Sequence, residues 1–313
     1  MRLDIRHVTR FDYSSAVWES QNELRACPVT DERQQLLYYD VVTTPTARTA
    51  SYIDYWGTRV DSFGIREPHT ALEVVAASHV ETRPVETALP HTPVDALADP
   101  AFCDAHYTFL QPSPHVAFGG LVRDAARDST ASAADVATLV ESIHQRVGML
   151  DYRPGSTEIG VSVDAVLASG SGVCQDFAHV AIAMYRSVGV PARYVSGYFF
   201  AGDDSTGEDV ASDEVEVATH AWVEVALPGI GWYALDPTND QVVDERHVTV
   251  GRGRDYDDVA PMRGVFSGPA QHTLQVVVTM RRFSHDSTHR ALHDRPSADG
   301  AGSHAWPGPF ATR

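Results

Sequence analysis

The chain has 313 residues, 43% of them hydrophobic, enough to bury at least one full core and, by ordinary domain sizes, about two. Its 42 acidic residues outnumber 24 basic ones, giving a net charge of −18, which excludes the clustered cationic surface that a nucleic-acid partner requires. No apolar run approaches the roughly 18 residues of a membrane span, and the start, MRLDIRHVTRFDY, lacks a signal-peptide core, so the expectation is a cytoplasmic protein with no membrane partner.

All of the basic residues are arginine; the lysine-free, acidic composition fits codon bias or adaptation to high salt. Residues 3–83 consist of short alternating runs rich in Val, Thr, Tyr and Ile, such as LLYYDVVTTP and ALEVVAASHVETR. Turn residues separate these runs, so residues 1–90 are expected to form an antiparallel β domain. The segment RPVETALPHTPVDALADP marks a boundary, because each proline removes a backbone donor and disfavours helix in the residue before it.

Residues 91–150 are expected to be this Pro-rich linker followed by helices. Within DSTASAADVATLVESIHQRVGML, apolar Ala134, Val136, Leu139, Val140, Ile143 and Val147 follow a helical stripe, with Ser129 or Ser132 as N-cap. A core is expected over residues 151–283, closed by the strand HTLQVVVTMRRF at 272–283. The tail, 284–313, rich in His, Pro, Gly, Ser and Ala without periodicity, is expected to be disordered.

Three cysteines, Cys27, Cys103 and Cys174, form no CxxC pair, and an odd number suits reduced thiols better than a disulfide framework. Cys174 has the informative context. Val173, Phe177, Val180, Ala181, Met184, Tyr185 and Val188 make a helical stripe ended by Gly189 and Pro191, which puts Cys174 in the first turn. Unpaired N–H groups and the partial positive charge there favour thiolate and can bind an oxyanion. Gly170 and Gly172 upstream leave room for a substrate carbonyl.

A thiolate enzyme also needs a proton carrier. Val217–Val225 alternates as a strand with His220, Trp222 and Glu224 on one face. After the turn PGIG, the strand GWYALDP returns with Trp232, Ala234 and Asp236 on one face, so a hairpin brings Asp236 to His220. Pro237 ends that strand. His179 is five residues from Cys174, about 500° around the helix, and reads as a satisfied histidine; the histidines lack metal-ligand spacing. Asp176 complements the helix dipole. The acidic run GDDSTGEDVASDEVE before the His220 strand has no EF-hand spacing and reads as a solvated flap, so calcium is not indicated.

GVCQDFAHV, THAWVEV and GWYALDPTND resemble the Cys, His and Asp blocks of the bacterial transglutaminase-like family. RHVTRFDYSSAV, ELRACP, DYWGTRVDSFGI and GRDYDDVAPMRGVFSG resemble its amino-terminal β domain and carboxy-terminal block. The resemblance implies an α+β, papain-like core, a helix bearing Cys packed on an antiparallel sheet bearing His and Asp, preceded by a mainly antiparallel β domain. It also implies a catalytic triad of Cys174, His220 and Asp236, an acyl-Cys174 thioester, and acyl transfer from a protein or peptide amide to an amine or to water without a cofactor. The papain-type CGSCW signature is missing, and Ala168 and Ser169 stand where those peptidases place an oxyanion glutamine. Gln175, Tyr152 and Trp222 are the candidates for the oxyanion or substrate site. Peptidase or amidase action with hydrolysis only, and a non-catalytic binding module on the same fold, are the alternatives.

Overall fold

The computed structural model describes residues 1–84, 88–89, 91–157, 160–202 and 214–283. Residues 203–213 of the acidic run and the tail 284–313 lie outside these described residues. The strands are β1 (Arg2–Leu24), β2 (Gln34–Thr44), β3 (Ala50–Ile53), β4 (Arg59–Ile65), β5 (His69–Thr82), β6 (Asp151–Tyr152), β7 (Ser171–Gly172), β8 (Ala192–Phe199), β9 (Glu214–Val217), β10 (Thr219–Leu227), β11 (Gly231–Asp236), β12 (Gln241–Val242), β13 (His247–Gly253), β14 (Met262–Ser267) and β15 (His272–Arg282). The α-helices are α1 (Pro100–Ala105), α2 (Gly120–Thr130), α3 (Val136–Gly148), α4 (Val163–Ser169), α5 (Cys174–Ser187) and α6 (Tyr256–Val259).

β1 organises the first sheet because it is long enough to serve two sets of partners. Its first half alternates Leu3, Ile5, His7, Thr9 and Phe11 inward and pairs antiparallel with β5 and β15. Its second half pairs with β4 and β14. Strand β15 corrects the expected boundaries: expected to close the 151–283 core, it instead pairs with β1, and β9 adds to its other edge. The physical reason is a shared inner face, since Val278 and Met280 pack with Leu3, Ile5 and Val80. A strand's own alternation reports that it has a buried face, not which sheet buries it.

The second sheet has the order β12-β11-β10-β8-β13. Ala221, Val223 and Val225 of β10 pack against α5 through Phe177, Ala181 and Tyr185 in one large core. Helices α2 and α3 add Val122, Ala126, Val136, Leu139, Val140 and Ile143 to that same core, so the helices expected between the Pro-rich segment and the core belong to the core, which begins before residue 151. Asp135, not Ser129 or Ser132, caps α3, accepting from the Thr138 N–H at 2.8 Å. The preceding residues form α2.

The two sheets share a third cluster, in which Leu3, Ile5 and Val80 meet Tyr198, Phe200, Val248 and Val250. Polar links reinforce it. The Val29 N–H donates to Thr249 O at 3.0 Å, and the Gln34 amide both accepts from Thr249 N–H (2.7 Å) and donates to Thr249 O (2.8 Å). The amino-terminal domain is therefore fixed to β13, an edge strand of the sheet that carries the candidate site.

Candidate active site

Cys174 is the first residue of α5, as the stripe predicts. Asp176 closes the helix start: its carboxylate accepts the Val173 N–H at 2.9 Å and the Thr157 hydroxyl at 2.6 Å. A Cβ on Gly172 would lie 2.8 Å from Asp176 Cβ, so the glycine lets the cap close. Gly170 takes a φ of 70° as the left-handed cap of α4. The two glycines thus shape the turn that delivers Cys174. Its sulfur is half-buried and 4.0 Å from Thr219 O, at the start of β10.

The β10–β11 register pairs Val223 with Leu235 and Glu224 with Ala234, which sets Asp236 across from Trp222 and diagonal to His220. The His220 Nε2 donates to Asp236 Oδ2 at 2.8 Å, and the ring is within hydrogen-bonding reach of the Cys174 sulfur. With Nε2 engaged, Nδ1 is the nitrogen left for the thiol. Burial would push the His220 pKa down, but Asp236 and then Cys174 outweigh it and raise it to about 10. Phe199 and Trp222 flank the ring, with centroids 5.6 and 6.0 Å away.

Asp236 is fully buried and saturated with donors. Thr238 and Asn239 N–H groups reach Oδ1 at 3.0 and 3.2 Å, and Asn239 Nδ2 reaches Oδ2 at 2.6 Å. A second imidazole, His247 Nε2, also donates to Oδ2, at 3.1 Å. Burial disfavours the carboxylate, yet His220 and His247 outweigh it and hold the group ionised well below the usual range.

Asn239 and His247 escape the sequence reading. Asn239 sits in GWYALDPTND, where an Asx turn after Asp236 is the available signal. His247 opens a strand from another part of the chain, and nothing local to it points to Asp236.

Of the oxyanion candidates, Tyr152 is half-exposed, with its ring 6.3 Å from Phe177. Burial first, and then the negative charge of Cys174, keep its phenol protonated, so it can donate. Gln175 is buried in α5. Trp222 is wholly buried with Val195, Ala234 and Val243, its ring centroid 6.0 Å from that of His220; that burial corrects the expectation that it meets substrate. A Cβ on Gly197, which pairs with His220, would lie 2.6 Å from Trp222 Cη2, so the glycine makes room for that platform. His179 is buried, accepts the Tyr256 N–H at 3.2 Å and stacks on His115, the satisfied histidine expected.

His220, Asp236 and His247 bring metal-type ligand atoms within 4.8 Å of one another. Each Nε2, however, lies at hydrogen-bond distance from the same carboxylate oxygen. That is the geometry of one acceptor with two N–H donors, whereas a shared cation would need both nitrogens deprotonated and aimed at it.

Two family models match: the transglutaminase-like superfamily over residues 123–237 and the bacterial transglutaminase-like N-terminal region over residues 3–81. An uncharacterised protein of Mycobacterium leprae is 37% identical over 283 residues, covering 90% of this chain and 99% of the relative. The chain belongs to the bacterial transglutaminase-like family. An uncharacterised Mycobacterium tuberculosis protein is 33% identical over 306 residues, covering 92% of this chain and 95% of that one. A protein-glutamine gamma-glutamyltransferase of Pseudomonas aeruginosa is 31% identical over 111 residues, covering 36% of this chain and 16% of the relative. Among solved structures, a Cytophaga hutchinsonii protein named only provisionally as a cysteine protease superimposes with a TM-score of 0.71 at 22% identity, covering 91% of this chain and 92% of that one. That likeness establishes the papain-like α+β fold with its antiparallel amino-terminal domain. Among the described residues no helix is long and apolar enough to cross a membrane.

Proposed function

We propose that this protein is a thiol acyl-transfer enzyme that opens a protein or peptide amide through an acyl-Cys174 thioester. The observation that carries the reading is the line of Cys174, His220 and Asp236, a thiol at a helix start facing an imidazole whose far nitrogen donates to a buried carboxylate at 2.8 Å. The Cys174 thiolate attacks the amide carbonyl, forming the C–S bond, while N–H groups of the first turn of α5, with Tyr152 as second donor, receive the oxyanion. His220 then gives its proton to the departing amine as the C–N bond breaks. Water or a primary amine next attacks the thioester, His220 takes the proton, and the thiolate leaves. Asp236 holds the ring and stabilises the imidazolium throughout.

No step calls for a cofactor. A cytoplasmic, reducing setting suits a nucleophile that must stay a free thiol. Hydrolysis and transamidation share the first half-reaction, so the acceptor decides between them. Cys174→Ala is expected to abolish turnover of any peptide amide that the wild type processes; full retained turnover would overturn the proposal. Incorporation of a fluorescent primary amine marks transamidation, and release of free acid alone marks hydrolysis.

A further inference from the structure

His247 lies outside the triad, yet its side chain is fully buried against it. Its Nε2 donates to the same Asp236 oxygen that receives His220. On the opposite edge of the ring, Nδ1 lies 2.9 Å from Asp244 Oδ1 and 3.2 Å from the Asp244 backbone nitrogen, so Asp244 fixes the ring's orientation. Phe199 and Trp222 pack on the ring at 4.7 and 5.3 Å; these are the same two aromatics that flank His220. Asp244 is in turn gripped by Arg246, through Nε and the backbone N–H, both at 2.9 Å. Burial disfavours its charge, but His247 and Arg246 outweigh that and hold the carboxylate ionised.

The amino-terminal β domain holds this arm on both sides of Asp244. Arg33 Nη1 donates to Val243 O at 3.1 Å, and the Thr82 hydroxyl donates to Glu245 O at 2.5 Å. These bonds join the residue that leads into β2, and the last residue of β5, to the backbone that carries Asp244.

We propose that His247 is a positioning residue for the triad, an arm clamped by the amino-terminal domain that fixes Asp236 Oδ2 where His220 needs it. This inference rests on the acyl-transfer reading above. A rigid carboxylate fixes the imidazole's rotation, and a small misplacement of a catalytic group costs rate steeply. It also assigns the β domain a catalytic duty, since the arm's backbone is anchored outside the core fold.

The test is the rate of Cys174 alkylation by iodoacetamide in the full chain, read beside the melting temperature. His247→Leu removes the donor and is expected to slow alkylation at least tenfold; His247→Gln restores an N–H donor at the Nε2 position and is expected to return to within threefold of wild type. Should His247→Leu fail to fold, Asp244→Asn tests the same arm from its part-exposed end, with a loss of about threefold expected. Wild-type rates in His247→Leu, or in Asp244→Asn where it is the variant read, overturn the proposal. So does equal impairment of the Leu and Gln variants with matching loss of melting temperature, which is the mark of a purely structural residue. His220→Ala is measured alongside: if its rate equals wild type, the acyl-transfer reading itself fails, whereas dependence on His220 without dependence on His247 removes only the present inference.

Discussion

Two buried carboxylates stand on adjacent strands of the core sheet, Glu224 on β10 and Asp236 on β11, and each binds two cationic-type partners. Glu224 takes arginines: Arg193 Nε at 2.6 Å, and Arg252 Nε at 3.1 Å to one oxygen and 3.0 Å to the other. Arg193 also lies 3.8 Å over the Trp232 ring, and Arg252 reaches Asp31 at 2.8 Å. Asp236 takes histidines. Arginine stays charged at any working pH, so the Glu224 cluster can only hold structure, while an imidazole can gain and lose a proton, so the Asp236 cluster can serve chemistry. Burial and ion pairing are common to both; the titratable partner and the thiol beyond it separate them.

The largest expected effect breaks the chemical member of the pair. Asp236→Asn keeps the shape but loses the charge that orients and stabilises the imidazolium, so amide turnover should fall about 10²–10⁴-fold with the fold retained. The pH profile adds a sign. A His220 pKa raised to about 10 from an ordinary 6.5 means that the imidazolium, and the stability it contributes, is fully present below the ordinary value and is lost as pH rises through about 10. Alkylation by anionic iodoacetate, which is drawn to the imidazolium, should therefore hold through neutral pH and decline in that alkaline range. In Asp236→Asn the decline should move to lower pH, and an unmoved decline would detach Asp236 from the histidine's proton.

Glu224→Ala breaks the structural member. It leaves two largely buried guanidinium groups without their shared carboxylate, so the expected cost is about 3–5 kcal/mol of stability, read as a fall in melting temperature on the order of 10 °C. Alkylation of Cys174 in the folded fraction should match wild type. Loss of labelling at undiminished stability would erase the distinction between the two clusters.

The difference between the clusters also explains what was legible in the sequence. Cys174 announces itself through a helical stripe and its end, and the Asp236–His220 pairing through two alternating strands joined by a tight turn; each is a local pattern spanning one element or one hairpin. His247 and the partners of Glu224 come from elsewhere in the chain. Asp31 is 221 residues from Arg252, and Arg193 is 31 from Glu224, so no periodicity records that they meet. Strand β15 teaches the same point on the scale of the fold. Its alternation marks a strand plainly, yet its partner is β1, at the other end of the sequence. The notch where Val217 ends β9 and Thr219 begins β10 was likewise invisible, since the alternation runs through it while the chain passes from one sheet to the other.

The smallest expected effect tests how far the structural cluster reaches into the amino-terminal domain. Asp31 lies in the segment that docks on β13, and its pair with Arg252 is partly exposed, at 26% and 19% of the side chains. In Asp31→Asn the arginine keeps Glu224, so no buried charge is orphaned, and water screens what is lost. The expected cost is therefore about 1 kcal/mol or less, a shift in melting temperature of roughly a few degrees at most, shrinking further in high salt. Alkylation of Cys174 should be unchanged, because the domain's hold on the active site runs through Val243 and Glu245 and not through this pair. A slowed thiol in Asp31→Asn would show instead that the arginine cluster and the histidine cluster move together, making the two carboxylates one device.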